Sequence, residues 1–506
     1  MIIDVKKNYF EKYCSQEILE QIIDYPSIPH MWQSCIKKYS ELEAIEDAGK
    51  TYTYADLDRD MGGYRSILAD NGLSKGDNIG IIVQSSYDFV KTYMAAQTLG
   101  IVTVLLPIHL EGEELSRTIK RFHMKAIVFD ADYEAKIEVS KEQNPDVKFI
   151  SAALTSGKII PVELCEEKDY STIIFTGGTS GKNKGAILSH GSIMTGVKNG
   201  CYGFDQVFHH RYLLVLPLTH VFGLVRNLLN PLYTGSYVSI VRNPKDMFRA
   251  MASFNPTILI LVPALAEMAL MLTKQFKRCM WGKNLKYIVC GASAVPAHLI
   301  FEYKEYGVNL FQGYGLTETS NLVSGNPENT EKPASVGPPY PGQQLRIENE
   351  ELWIKGPHMM VGYYDEPEEN EAAYTDGWFR TGDLVRVDED GFLYITGRKK
   401  NIIVLSTGEN ISPEEVENIF CKFDLLQDAM VYDEVVDGMQ ILTLEVFARP
   451  LEKSKLQVED INEYIRTELG KINASLPPYM RVSKIIIRDE DFERTPAMKK
   501  VRKISK

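Results

Sequence analysis

The stretch Phe175-Thr176-Gly177-Gly178-Thr179-Ser180-Gly181-Lys182-Asn183-Lys184-Gly185 follows directly on the apolar run Thr172-Ile173-Ile174. Four glycines, three hydroxyl residues and two lysines share these eleven positions. Glycines let a backbone fold back with its N–H groups converging, and hydroxyls and ammoniums add donors to the concavity. Such a surface suits a polyphosphate. The spacing departs from the G-x-x-x-x-G-K-[ST] loop, because only three residues separate Gly177 from Gly181 and Asn183 follows Lys182. It also lacks G-x-G-x-x-G. A plain Gly/Ser-rich surface turn has the same composition, so the reading depends on partners elsewhere in the chain.

Outward from this loop, from about Gly76 to Arg380, short β-branched runs alternate with longer amphipathic segments. Ile79-Gly80-Ile81-Ile82-Val83, Leu213-Leu214-Val215-Leu216, Ile258-Leu259-Ile260-Leu261-Val262 and Tyr287-Ile288-Val289-Cys290 are expected as buried strands. Helices are expected over 87–99, 222–233, 264–276 and 296–306. The alternation predicts an α/β fold of stacked helices and largely parallel sheets. After Arg380 the texture changes: Leu393-Tyr394-Ile395 ends a strand, and Gly397-Arg398-Lys399-Lys400-Asn401 reads as a charged link. Beyond it a compact α+β pattern is expected, with helices near 413–423 and 458–469 and strands near 428–432, 440–446 and 482–487. The expected division is 1–399 and 400–506, with a hinge near Lys400.

A chain of 506 residues is too long for one ordinary core and implies two or more domains. Its seven cysteines are scattered without a C-x-x-C pair, which argues against a disulfide framework or a zinc site and fits a reducing cytoplasm. The start has no apolar core of signal-peptide length, and the greasiest segment, 257–272, is interrupted by Pro263 and Glu267. No membrane span is expected. A net charge of −12 makes nucleic acid an improbable partner. It also means that a nucleotide site must carry its own local positive potential.

Further segments join the first loop in a fixed order. They are Pro217-Leu218-Thr219-His220-Val221-Phe222-Gly223, Gly291-Ala292-Ser293-Ala294-Val295-Pro296 and Gln312-Gly313-Tyr314-Gly315-Leu316-Thr317-Glu318. Trp378-Phe379-Arg380-Thr381-Gly382-Asp383-Leu384 and the link at Arg398 come next. Ser406-Thr407-Gly408-Glu409-Asn410 and Arg494-Thr495-Pro496-Ala497-Met498-Lys499 close the series. Taken singly, each has an ordinary explanation. Asp383 reads as a turn or cap residue, Glu318 as a solvated carboxylate and Tyr314 as a core aromatic. His220 reads as a loop histidine and Lys499 as part of an exposed basic tail.

Taken together, in this order, the segments resemble the adenylate-forming superfamily of acyl- and aryl-CoA synthetases, adenylation domains and luciferases. The resemblance runs from about Tyr52-Thr53-Tyr54 to Lys499. It implies a large N-terminal domain of several layered α/β subdomains and a small, mobile α+β C-terminal domain. It also implies two half-reactions: a carboxylate attacks the α-phosphate of ATP, giving an acyl adenylate and pyrophosphate, and a thiol then displaces AMP. By resemblance, Thr176, Gly178, Thr179, Ser180, Gly181 and Lys184 hold the β- and γ-phosphates. Thr317 contacts the α-phosphate and Glu318 coordinates Mg²⁺. Tyr314, within Gln312-Gly313-Tyr314-Gly315, lies against adenine, with Gly291, Ala292 and Ser293 on the other side. Asp383 binds the ribose hydroxyls, and Arg398 binds ribose or phosphate. His220 gates the carboxylate site, and Lys499 bridges carboxylate and α-phosphate. Gly408 lines the thiol tunnel once the small domain has rotated about Lys400. The implied cofactors are ATP, Mg²⁺ and CoA, in a cytoplasmic monomer or homodimer.

Several positions depart from the commonest pattern: Gly177, Asn183, Glu350, Asn401 and Met498. Lys500, beside Lys499, leaves a one-residue shift of the catalytic lysine open. No carboxylate stands in Val221-Phe222-Gly223-Leu224-Val225-Arg226-Asn227-Leu228, where amino-acid-activating members place one for the α-ammonium. An acid without an α-amine, fatty or aromatic, and an apolar pocket are therefore expected, with Arg226 read as a surface residue before a contact to an acidic substrate group. The alternative activity is a freestanding adenylation enzyme that loads a carrier protein's phosphopantetheine in trans.

Overall fold

The computed structural model describes residues 2–4, 9–176, 184–405, 409–436, 439–449, 453, 460–494 and 500–502. Two mainly parallel sheets dominate them. In the first, strands run in the order Gly362–Tyr363, Lys184–Ser189, Tyr170–Thr176, Val102–Leu105, Asn78–Ile82, Met124–Phe129 and Lys148–Ser151. The last five are parallel, and the first two are added antiparallel at one edge. The second sheet has the order Ser324–Gly325, Asn309–Tyr314, Tyr287–Cys290, Ile258–Leu261, Arg211–Leu214, Tyr237–Ile240, Glu43–Asp47 and Lys50–Thr53.

The two-residue period of a strand explains the layering. In the second sheet Tyr212, Leu214, Ile258, Ile260 and Val289 face a core shared with Ile79, Ile81 and Ile174 of the first sheet. The intervening residues Leu213, Leu259, Leu261 and Ile288 face a separate core beneath the helices Met247–Phe254, Pro263–Phe276 and Ala297–Glu305. Between the sheets lie Ile28–Tyr39, Tyr54–Asp70, Tyr87–Gln97 and His190–Asn199, which contribute Trp32, Leu57, Tyr93 and Ile193 to the shared core. Covered on both sides, Tyr87–Gln97 is buried at every residue except Asp88. The helices Gly112–Arg121 and Glu134–Gln143 close the outer face of the first sheet. The layered α/β expectation holds.

Three local expectations are corrected. The alternation does not continue to Arg380, because Gln344–Glu348, Glu351–Lys355, Trp378–Val387 and Leu393–Arg398 form an antiparallel sheet with its own core. The strand beginning at Leu393 does not end at Ile395 but pairs through Gly397 and Arg398, so the charged link starts at the 3₁₀ turn Lys399–Asn401. The helix expected over 222–233 is π-helical over Phe222–Leu229 and becomes α-helical only at Asn230–Tyr233. Hydropathy fixes which face is apolar but is blind to the hydrogen-bond span of the turn.

The C-terminal part pairs Leu426–Val436 antiparallel with Met439–Ala448, which runs parallel to Lys484–Arg488. Helices Pro413–Phe420 and Ile461–Ser475 pack on it around Phe420, Val431, Leu444 and Leu469. It meets the large part through Arg449, whose guanidinium lies 3.0 Å from Glu267 and donates to His298 Nδ1 at 2.9 Å.

Candidate active site

Parallel strands paired side by side bring their carboxyl ends to one edge. Cys290 stands opposite Leu261 on one side and Gln312 on the other, so the segments leaving these strands share a rim. From Arg211–Leu214 the chain goes first to Tyr237–Ile240 on one side and later to Ile258–Leu261 on the other. Such a switch opens a crevice above the strand where the order reverses, the usual ligand position in an open α/β sheet. His220 follows that strand. Its Nδ1 accepts the Phe222 N–H at 3.2 Å, an early turn that starts the π-helical segment.

The other rim segments converge on the same place. Gly291 leaves Tyr287–Cys290, and a side chain there would touch the Phe222 ring at 3.5 Å. Ala292 adopts φ 67°, a left-handed conformation uncommon outside glycine and often found at binding sites, and Ser293 beside it is exposed. Tyr314 ends the strand Asn309–Tyr314, and Gly315 presses against the Asn321 carbonyl so closely that a methyl group would not fit. The 3₁₀ turn Thr317–Thr319 then presents Thr317 and Glu318.

Tyr314 donates its hydroxyl to Asp383 at 2.6 Å, joining the second sheet to the antiparallel one. Burial and the adjacent carboxylate hold the Tyr314 phenol well above its ordinary pKa, so it remains a donor. Asp383, 2% exposed, pairs across two strands with Arg398, whose Nε lies 2.6 Å from its Oδ1. Thus Asp383 sits within a strand and is neither a turn nor a cap residue.

A second cluster joins the two parallel sheets. Tyr363, on the short strand added beside Lys184–Ser189, donates its hydroxyl to Glu318 Oε1 at 2.9 Å. The Lys184 ammonium lies 4.4 Å from the Tyr363 ring centre and 2.8 Å from Glu369 Oε2. Thr176 and Lys184 face each other across the antiparallel pair, so both mouths of the glycine-rich loop open here. Lys400, exposed beside Arg398, has its pKa lowered by partial desolvation and by that neighbouring cation.

The structure therefore brings together Thr176, Lys184, Thr317, Glu318, Tyr314, Asp383 and Arg398, with Gly291, Ala292, Ser293, Gly315 and His220 along one rim. Gln312 is less available: its buried side chain donates to the Pro333 carbonyl at 2.6 Å, and Gly313 beside it packs against Ser324. Gly178, Thr179, Ser180, Gly181, Gly408 and Lys499 lie outside the described residues. Tyr363 and Glu369 escaped the sequence reading, because a tyrosine on a short strand and a glutamate on an acidic helix carry no local signal. Arg226 is corrected outright: it is 2% exposed, on a segment buried at every position.

A family model described as an AMP-binding enzyme matches residues 32–364. The chain belongs to the AMP-binding enzyme family. A second model, the AMP-binding enzyme C-terminal domain, matches residues 400–505. Among relatives, the 2-succinylbenzoate–CoA ligase of Bacillus velezensis is 30% identical over 422 residues, covering 79% of this chain and 82% of that protein. The putative acyl–CoA ligase YdaB of Bacillus subtilis is 25% identical over 495 residues, covering 88% and 97%. The structure of the Bacillus subtilis o-succinylbenzoate CoA synthetase in complex with ATP and magnesium matches with a TM-score of 0.76 at 25% identity, covering 93% and 98%. The anthranilate CoA ligase AuaEII with anthranoyl-AMP gives a TM-score of 0.84 at 18% identity, over 94% and 96% of the chains, and attests the fold. Among the described residues no helix is long and apolar enough to cross a membrane.

Proposed function

We propose that this AMP-binding enzyme is an ATP-dependent acid–CoA ligase that forms an acyl adenylate with release of pyrophosphate and transfers the acyl group to the thiol of CoA. One observation carries the reading. The Lys184–Tyr363–Glu318 cluster stands where both ends of a glycine-rich loop meet, and the Tyr314–Asp383–Arg398 cluster begins on the same segment as Glu318, in a chain whose relatives are acyl- and aryl-CoA ligases.

The residues divide the work. Asp383 accepts hydrogen bonds from the ribose hydroxyls, Tyr314 packs on adenine opposite Gly291 to Ser293, and Arg398 faces ribose or phosphate. Thr176, Lys184 and the residues 177–183 hold the β- and γ-phosphates, and Thr317 contacts the α-phosphate. The donor set at Glu318 fits Mg²⁺. Its oxygens are hard, Tyr363 engages one of them, and magnesium typically takes one or two carboxylates with phosphate and water. Bound there, the ion would neutralise phosphoryl charge, the main obstacle when one anion attacks another.

In the first half-reaction a carboxylate oxygen of the acid bonds to the α-phosphorus while the bond to pyrophosphate breaks. His220 borders the carboxylate, and Lys499 bridges it to the α-phosphate. In the second, a thiolate sulfur bonds to the acyl carbon and AMP leaves with the bonding pair. Residues 1–399 form the nucleotide and acyl body, and residues 400–506 a lid that turns about Lys400 and brings Gly408 to the thiol path. Function in the cytoplasm, as a monomer or homodimer, belongs to the same reading. Carboxylate-dependent ATP–pyrophosphate exchange, followed by AMP release on adding CoA, is the expected result. Exchange without AMP release from CoA, but with transfer to a holo carrier protein, would select the carrier-loading activity instead. No exchange with any acid would refute both.

A further inference from the structure

Lys184 has a carboxylate partner inside the chain, supplied by the short helix Pro367–Ala373. Its ammonium lies 2.8 Å from Glu369 Oε2; the lysine side chain is 14% exposed and the glutamate, the wetter of the two, 39%. The helix is pinned beside the site from two directions. Asn370, next to Glu369, accepts the Tyr363 N–H at 2.7 Å and donates to the Tyr363 carbonyl at 2.8 Å. On the far side Arg121, at the end of the helix Gly112–Arg121, lies 2.7 Å from Glu366 at the N-cap. Glu369 is thereby held next to the strand Gly362–Tyr363, whose tyrosine stacks under Lys184 and hydrogen-bonds Glu318.

This arrangement sets two anions against one cation. In the proposed function Lys184 faces the β- and γ-phosphates, and pyrophosphate leaves after the first half-reaction. Pyrophosphate and the Glu369 carboxylate are both acceptors for the N–H bonds of the same ammonium. An ion pair with one partner open to water is weak, so a phosphate displaces it readily. The displaced carboxylate nevertheless stays close, and it repels the phosphate that took its place. Glu368 carries the same charge on the same helix and is exposed. It supplies the comparison that separates an effect at Lys184 from one of net charge.

We propose that Glu369 is a resident competitor for Lys184 that speeds the departure of pyrophosphate. The inference rests on the ligase reading and adds a positioning residue to it, since Glu369 acts through Lys184 rather than on the reacting atoms. As pyrophosphate lets go of the ammonium, the carboxylate takes it back, so the cation has a counter-charge throughout. The product is held less tightly, and the same competition loosens the grip on the β- and γ-phosphates of ATP.

The test uses the full chain with magnesium pyrophosphate as the probe. In calorimetry Glu369→Gln should bind it about tenfold more tightly than the wild type does. In stopped flow the gain should come from slower dissociation. Affinity for ATP should rise in the same direction. Glu369→Asp, which keeps the charge, should return most of the way to the wild-type values. Glu368→Gln removes an equal charge one residue away, exposed to solvent, and should change the affinity by no more than about twofold. Pyrophosphate binding that is unchanged or weaker in Glu369→Gln overturns the proposal, as does an equal gain in Glu368→Gln or a gain that comes only from faster association. Each of these outcomes leaves the ligase reading standing. A wild type that binds neither ATP nor pyrophosphate overturns the ligase reading and this inference with it.

Discussion

At Glu318 a single hydrogen bond decides how the carboxylate is offered. Tyr363 donates to one oxygen, and burial together with Glu318 raises the Tyr363 pKa far enough that its proton stays in place. One carboxylate oxygen is thereby fixed, and in the proposed function the other is the one offered to magnesium. Tyr363→Phe removes the donor and almost nothing else. A hydrogen bond to a charged group contributes about 1.5 kcal/mol or slightly more, so kcat/KM should fall about tenfold. The magnesium concentration for half-maximal pyrophosphate exchange should rise by a similar factor. A magnesium titration that superimposes on the wild type would detach Tyr363 from the metal site. Glu318 could be picked out from sequence because it stands in a recognisable segment. Tyr363 and Glu369 could not, because only the pairing of the short strand Gly362–Tyr363 with Lys184–Ser189 brings them to the site.

Elements were legible where one physical signal dominated. Tyr287–Cys290 appears at the expected residues, and Ile258–Leu261 and Pro263–Phe276 within a residue, because continuous apolar runs and a proline at the first turn mark them. The antiparallel sheet over 344–398 was missed because its strands alternate polar with apolar residues and so carry no continuous apolar run. Burial also writes a pH dependence into two turns. His190, at the start of the helix His190–Asn199, and His358, in the turn after Gly356, are both fully buried. Neither ring nitrogen of either residue finds a hydrogen-bond partner among the described residues. Desolvation lowers His190 to about 4, against a smaller opposing pull from Asp169, and lowers His358 to about 3. Unfolded histidine titrates near 6.5. Above that pH both states are neutral and nothing is lost. Below it the unfolded chain binds protons that the native chain refuses, so stability falls as pH drops from about 6.5 toward 4. The loss is about 1.4 kcal/mol per pH unit for each ring. Denaturant unfolding at pH 7 and pH 5 should show His358→Leu losing about 2 kcal/mol less than the wild type over that interval. Equal losses would mean that His358 protonates in the native state.

The whole molecule poses a question of which tail lysine reaches the site. Lys500 is occupied: its ammonium lies 2.8 Å from Asp428 and 3.4 Å from Glu417 and donates to the Ala429 carbonyl. Arg502 pairs with the same Glu417 at 2.8 Å, so this end of the chain is stitched to the C-terminal unit's own helix and sheet. Lys500 is thereby committed to the C-terminal unit, whereas Lys499 lies outside the described residues. The two lysines should separate by experiment. Lys499→Ala should slow acyl-adenylate formation roughly 10³-fold, the scale of losing a charge-stabilising group in a phosphoryl transfer. The same variant, given preformed acyl adenylate, should transfer the acyl group to CoA at close to the wild-type rate. Lys500→Ala should instead destabilise the C-terminal unit, with a lower melting temperature and a modest, equal effect on both half-reactions. Equal loss of both half-reactions in Lys499→Ala would remove its assigned role. Selective loss of adenylation in Lys500→Ala would transfer that role to Lys500 and require its contacts with Asp428 and Glu417 to break on every turnover.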